Sequence, residues 1–230
     1  YENVAGLEVE NCVEVDASNN EAFDNVGGLF ALQQDISGSM QSNTDVRLFD
    51  NETYCNNHPN FAKPGSAVSG IPVGTGLLSF AGDGVEIFGN RITDNLTLGI
   101  GMASNILNCQ VAGSDCPPYT DGYDPYVKNN YIHDNIYTNN GTDPQGIFGT
   151  LFRILGFGVP GTPVPNLVWD GYMEQPSDVG LCLGTDADAA ATVLIIGDAC
   201  KTPIDPALED YIACAQANAS TDQTPYLCVP

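Results

Sequence analysis

A six-residue unit recurs along this chain and constrains its fold more than any other feature. It reads Asn20-Glu-Ala-Phe-Asp-Asn25, Asn51-Glu-Thr-Tyr-Cys-Asn56, Asn90-Arg-Ile-Thr-Asp-Asn95 and Asn130-Tyr-Ile-His-Asp-Asn135. A worn copy follows at Asn166-Leu-Val-Trp-Asp-Gly171. A second unit, glycine followed by alternating apolar residues, starts at Gly6, Gly28, Gly76, Gly99 and Gly180. The two units alternate, and the shortest steps between these glycines are 22 and 23 residues. Repetition at that period marks a stacked architecture in which each unit contacts only its neighbours.

Short strands joined by tight bends fit this spacing. The expected fold is all-β: a right-handed parallel β-helix, a solenoid of about five to six coils. Proline-bearing stretches at 57–73 and 109–126 are excluded from central strands, so they read as long loop insertions. The solenoid would occupy residues 1–200. Residues 201–230 would form a helical, disulfide-bonded cap packed on it. There Asp205-Pro206 resembles an N-cap with proline at the first helical position. Leu208, Tyr211, Ile212 and Ala215 follow a helical period, giving a short C-terminal helix over about 206–217. Tyr1 begins inside a repeat, so missing N-terminal coils or a partner chain are expected to cover that end.

Stacking at about 4.8 Å would set equivalent residues above one another. Asn20, Asn51, Asn90 and Asn130 would then form a hydrogen-bonded column. Asparagine and glycine would serve the left-handed backbone that sharp corners need. Alternation along the strand points Ala22, Thr53, Ile92, Ile132 and Val168 inward. It points Phe23, Tyr54, Thr93, His133 and Trp169 outward as a largely aromatic stripe, beside Glu21, Glu52, Arg91, Tyr131 and Leu167.

Six Lys+Arg against 29 Asp+Glu give a net charge of −23. Nucleic acid and anionic lipid need cationic side chains to displace counterions, so both are excluded as partners. Divalent cations or a basic protein are favoured instead. Asp121 and Asp124 are candidate calcium ligands, although no EF-hand pattern surrounds them. The eight cysteines are scattered, with no CxxC and no CxxCH, so no covalently bound haem is expected. An even, scattered set points to disulfides and an oxidising compartment: secreted, periplasmic or cell-surface. The expected local disulfides are Cys109 with Cys116, across a proline-containing loop, and Cys214 with Cys228. No apolar run is long enough to span a membrane.

The outward stripe of Tyr54, Thr93, Tyr131, His133 and Trp169 offers aromatic area for a glycan or a protein. His133 with Asp94 or Asp134 could build a general base. Sequons stand at Asn51, Asn95, Asn140 and Asn218. Polyuronate lyases need clustered cations, and the six here are dispersed. A glycosidase needs a carboxylate pair at a set separation, and no motif supplies one. The pattern therefore points to a binding protein more than to an enzyme.

These residues resemble a group of bacterial extracytoplasmic parallel β-helix repeat proteins whose genes pair with one for a diheme c-type cytochrome. The similarity is clearest over Val4 to Met102. It includes Val46-Arg-Leu-Phe-Asp-Asn51, Asn57-His-Pro-Asn-Phe61 and Gly74-Thr-Gly76 leading into Val85-Glu-Ile-Phe-Gly-Asn90. The group's distinctive loop matches Asn57, His58 and Asn60, which become candidate binding residues. The resemblance implies an export signal, a longer N-terminus and a c-type cytochrome as partner, with no established activity. The expected function is an extracytoplasmic scaffold or binding protein. A carbohydrate-binding or carbohydrate-active protein, and a structural subunit assembling through its coil ends, are the alternatives.

Overall fold

The computed structural model describes residues 1–36, 44–64, 66–107, 118–173, 180–184, 193–195, 213, 216–217 and 219–221. The chain makes four passes of three strands each. The first is β1 (Ala5–Glu10), β2 (Val13–Ser18) and β3 (Glu21–Phe23), and the second β4 (Gly27–Leu32), β5 (Thr44–Phe49) and β6 (Glu52–Tyr54). The third is β7 (Thr75–Phe80), β8 (Asp83–Phe88) and β9 (Arg91–Thr93), and the fourth β10 (Leu98–Ala103), β11 (Tyr131–His133) and β12 (Ile136–Thr138). A helix, α1 (Gly146–Ile154), precedes β13 (Leu167–Trp169), β14 (Cys182–Leu183) and β15 (Val193–Ile195).

Every strand pairs in parallel with its counterpart in the next pass, giving three sheets. The first sheet has six strands in the order β1-β4-β7-β10-β13-β15, the second five in the order β14-β11-β8-β5-β2, and the third four in the order β12-β9-β6-β3. One core serves all three: Leu29, Leu77 and Ile100 from the first sheet, Val46 and Ile87 from the second, and Ile92 from the third are fully buried together.

The expected uniform, all-β, right-handed solenoid of about five to six coils is corrected by these findings. The described fold is a set of three parallel sheets of unequal size, six, five and four strands. Among the described residues only four passes contribute a strand to each sheet, and the third sheet ends at β12. A nine-residue helix also stands in mid-chain. The physical reason is local: after Thr138 the chain meets Pro144, Pro160, Pro163 and Pro165, which withhold the N–H groups a ladder needs. Of the expected C-terminal helix, Ala213, Gln216 and Ala217 are helical. The rest of 206–217, and with it most of the 201–230 cap, lies outside the described residues.

Two asparagine ladders bracket the third sheet. In the first, the side-chain amide of Asn20 donates to Asn51 Oδ1 at 2.9 Å, Asn51 to Asn90 at 2.9 Å, and Asn90 to Asn135 at 2.9 Å. In the second, Asn25 donates to Asn56 at 3.0 Å, Asn56 to Asn95 at 3.1 Å, and Asn95 to Asn140 at 3.2 Å. Each receiving carbonyl also accepts the backbone N–H of the residue that stands over it. The column therefore holds Asn135 where Asn130 was expected. Asn130 sits one corner earlier, accepting from Ser79 Oγ at 2.7 Å and donating to Gly82 O at 2.8 Å.

The corners use left-handed backbone at aspartate and asparagine more than at glycine. Asn19, Asp50 and Asp134 stand at φ 57°, 52° and 55°, and Asp24, Asp94 and Asn139 at 53°, 55° and 55°. The recurrent glycines of the second unit answer a different need. A Cβ on Gly28 would lie 2.3 Å from Gly76 O, and one on Gly76 would lie 2.5 Å from Gly99 O. Each glycine lets the backbone of the next pass come close. We expect Gly28→Ala to cost about 3 kcal/mol or more, as overpacking against an immovable backbone does. Equilibrium denaturation would measure this, and an unchanged midpoint would remove the close-approach explanation.

Candidate functional site

The outer face of the first sheet carries a concavity of about 330 Å³. Its floor is apolar because these strands are buried on both faces. Leu29 and Leu77 point into the core, while Leu32, Leu78 and Phe80 point out and are covered in turn. Three inserted segments build the walls. The loop after β6 supplies Val68, Ile71 and Pro72, the segment between β10 and β11 supplies Leu107 and Tyr119, and α1 supplies Phe148 and Phe152. The helix holds its place by burying Leu151 and Phe152 against Leu98, Val168 and Tyr172. Gly101 in mid-floor leaves space that any side chain would take.

Polar groups gather at one part of the rim. Gln34, Asp35, Asn105 and Tyr119 all line the cavity. Asp35 Oδ2 accepts the backbone N–H of Thr120 at 2.9 Å. Tyr123 closes the corner from behind, donating its hydroxyl to Gln33 O at 3.0 Å and accepting from Asn105 Nδ2 at 2.8 Å. Burial, then the neighbouring Tyr126 and Asp35, pushes the Tyr119 phenol up to about 12. Burial likewise holds the Tyr123 phenol well above its usual range. Both hydroxyls therefore stay protonated at neutral pH. Asp170 also lines the cavity, but its oxygens are taken by Ser104 N–H at 2.6 Å, Ser104 Oγ at 2.7 Å and Tyr172 N–H at 3.1 Å.

The residues singled out in the sequence fall elsewhere. Asn60 organises its own loop, donating to the carbonyls of Val68, Ser69 and Ile71. Asn57 ties that loop to the next pass through Asp94 O and Leu96 N. His58 is exposed, with its ring edge-on to the exposed Phe61 at 5.5 Å. These residues hold up the wall that carries Val68 to Pro72 and do not line the cavity.

The outward stripe is two stripes. Phe23, Tyr54 and Thr93 stack on the third sheet and continue to Thr138. His133 belongs to the second sheet, above Phe88 and Phe49. Trp169 belongs to the first sheet and is fully buried in the core, so it is corrected from an exposed binding residue to a core residue. The rings lie face to face: Phe23 and Tyr54 at 5.3 Å and 8°, Phe49 and Phe88 at 4.9 Å and 5°, Phe88 and His133 at 5.1 Å and 2°. Stacking of this kind spends the ring faces on one another and leaves edges to solvent, whereas a sugar packs on faces. Tyr54 is further occupied by Glu21, and that hydrogen bond pushes its phenol up to about 12.

Both ring nitrogens of His133 face carboxylates, Nδ1 to Asp134 at 2.7 Å and Nε2 to Glu86 at 3.1 Å. Neither is free to take a proton from a substrate. Tyr131 packs on the same ring at 3.9 Å. Asp94 is not in this group; it accepts from Asn139 on the third sheet. Asp124 pairs with Lys128 at 2.5 Å and accepts Tyr126 N–H, while Asp121 is exposed. No group of three or more His, Cys, Asp or Glu side chains that could hold a metal ion is found among the described residues. The sequon asparagines Asn51, Asn95 and Asn140 are buried ladder members; Asn218 lies outside the described residues. So do Cys109, Cys116, Cys214 and Cys228. Cys182 is disulfide-bonded, and Cys12 and Cys55 are free thiols. No described helix is long and apolar enough to cross a membrane.

Comparison with protein-family models, with characterised proteins and with solved structures yields no match. The cavity itself, found by neither motif nor likeness, is therefore the site with the most physical content. One sequence signal pointed to it: Gly28-Leu-Phe-Ala-Leu32 and Gly76-Leu-Leu-Ser-Phe80 are apolar on both alternating faces, as strands covered on both sides are.

Proposed function

We propose that this chain is a binding protein, and that the cavity over the first sheet takes a small, largely apolar molecule. The observation that carries this reading is the pairing of an apolar floor with a few polar groups, Gln34, Asp35, Asn105 and Tyr119, at the rim. A concave, mostly apolar site with a few converging polar groups is the form that small-molecule sites take. Its volume lies at the lower end of the usual range of about 300–1,000 Å³. Among the described lining residues no nucleophile stands beside a free base, which favours binding over catalysis. An extracytoplasmic location remains part of the proposal, supported by the disulfide at Cys182.

Nile red, an uncharged apolar dye, tests the reading. It should bind saturably with one site per chain and brighten. Gly101→Leu should abolish that signal. A Cβ at Gly101 would first meet only the ends of Leu78 and Leu98, at 3.1 and 3.4 Å, so the added side chain can fill the cavity without striking backbone. An unsaturable signal, or one that survives Gly101→Leu in a folded variant, would end the proposal.

The exterior supports a second reading, a basic protein partner such as a c-type cytochrome. Arg47, Arg91, Lys128 and Arg153 are each paired with a carboxylate. Most of the 29 acidic residues therefore have no cationic partner, and such a surface steers a basic one.

A further inference from the structure

Resting on the cavity reading, we infer that the ligand is an amphiphile whose polar end is a cationic N–H donor, an amine on an apolar body, received at Asp35. The rim groups set this polarity. Asp35 brings a carboxylate, Asn105 and Gln34 bring amides, and Tyr119 brings an aromatic ring. None of the described residues lining the cavity is a lysine, an arginine or a histidine. An anionic head would meet a carboxylate with no cation to offset it, whereas an ammonium finds both an acceptor and a tyrosine ring face.

Asp35 itself is left incomplete. Thr120 N–H satisfies Oδ2 at 2.9 Å. Oδ1 is closed off from water and has no hydrogen-bond partner among the described residues. A buried acceptor in that state carries the cost of desolvation without its return. The terminal torsion of an aspartate is soft, so a small rotation presents the free oxygen to the cavity beside it. A donor arriving on a ligand would complete the carboxylate. A hydroxyl head would complete it with a hydrogen bond but no opposite charge, and a carboxylate head would oppose it.

Three probes of equal chain length separate the heads: octylamine, octan-1-ol and octanoate, titrated calorimetrically in physiological salt. Octylamine should bind about tenfold or more tighter than octan-1-ol, the step expected of a charge-assisted bond. Octanoate should bind more weakly than octan-1-ol. Asp35→Asn keeps an acceptor for Thr120 N–H but removes the charge. It should bring octylamine to within about threefold of octan-1-ol. The variant leaves the other acidic residues in place, so it separates Asp35 from the general attraction of the surface. The inference is overturned, and the cavity reading survives, if octan-1-ol binds and octylamine is no tighter. It is also overturned if the amine preference persists in Asp35→Asn. If no probe binds the wild-type chain, the cavity reading itself fails. If the variant does not fold, repeating the wild-type titrations at about 1 M salt makes the same separation, because surface attraction is screened there; an amine preference that vanishes at high salt overturns the inference.

Discussion

Asn95→Asp is expected to destabilise this protein by about 4 kcal/mol or more at neutral pH, a large share of the roughly 5–15 kcal/mol that holds a domain together. Asn95 is fully buried in the middle of the second ladder. Its Oδ1 accepts from Asn56 N–H at 3.2 Å and Asn56 Nδ2 at 3.1 Å. Its Nδ2 donates to Thr53 O and Asn140 Oδ1, both at 3.2 Å. Aspartate keeps the shape and the acceptor but loses both donors. A carboxylate oxygen then faces two carbonyl oxygens with no water between them. Two buried hydrogen bonds are lost, Asn140 Oδ1 keeps only the backbone N–H of residue 95, and the oxygen–oxygen contacts and the buried charge add several kcal/mol, on the order of 4 in all. Asn95→Leu breaks these two bonds and also the two that Oδ1 accepts from Asn56, but it buries no charge and should be milder at neutral pH.

The pH dependence distinguishes charge from shape. Burial raises the folded-state pKa of the new carboxyl above its unfolded value. The deficit is therefore full above the folded pKa. It shrinks as pH falls through that value toward the unfolded pKa, where both states are protonated. Protonation also restores one of the two lost donors. Denaturant midpoints at neutral and mildly acidic pH should show Asn95→Asp gaining on Asn95→Leu as pH falls. An aspartate variant as stable as wild type at neutral pH would mean that the ladder contributes nothing.

The ladder also shows how far the sequence could be read. Asparagines five apart bracket a three-residue strand in the first three passes, and there the columns Asn20-Asn51-Asn90 and Asn25-Asn56-Asn95 match the spacing. In the fourth pass three asparagines stand five apart: Asn130, Asn135 and Asn140. Either interval satisfies the pattern. Tyr131-Ile-His133 was read as the third-sheet strand, yet Ile136-Tyr-Thr138 fills that place. Reading back from the end of the preceding strand would have resolved it. Leu48-Phe-Asp-Asn51, Ile87-Phe-Gly-Asn90 and Ile132-His-Asp-Asn135 align without a gap, and the structure pairs them so. A slip of one strand moved His133 and Tyr131 to a different sheet.

The cavity was less legible for a different reason. Its floor comes from strands, but its walls come from residues near 70, 107, 119 and 150. These carry no period, because insertions between passes are free of the repeat that fixes the strands. What packs them is apolar area alone, which specifies burial and not a partner. Asn57 and Asn60 illustrate the limit: their loop was identifiable, but their hydrogen bonds to backbone make them supports of the site instead of members of it.

Trp169→Ala should lose about 3–5 kcal/mol of stability, the usual cost of truncating a fully buried large aromatic. Trp169 is the largest fully buried side chain in the core. It lies on β13 between Met102 of β10 and Ile195 of β15. Alternation places Val168, its neighbour, on the opposite face, where it lines the cavity. The two faces of one strand thus carry separable properties. The single tryptophan should emit at the blue end of its range and resist quenching by acrylamide. Nile red entering the cavity should leave its accessibility unchanged. Trp169→Ala should lower the denaturation midpoint while the folded fraction still binds the dye, and Trp169→Phe should recover most of the loss. Gly101→Leu should do the reverse, keeping the midpoint and losing the dye. If Trp169→Ala instead kept its stability and lost binding, the side chain would face the ligand and not the core, and the assignment of β13's two faces would have to be exchanged.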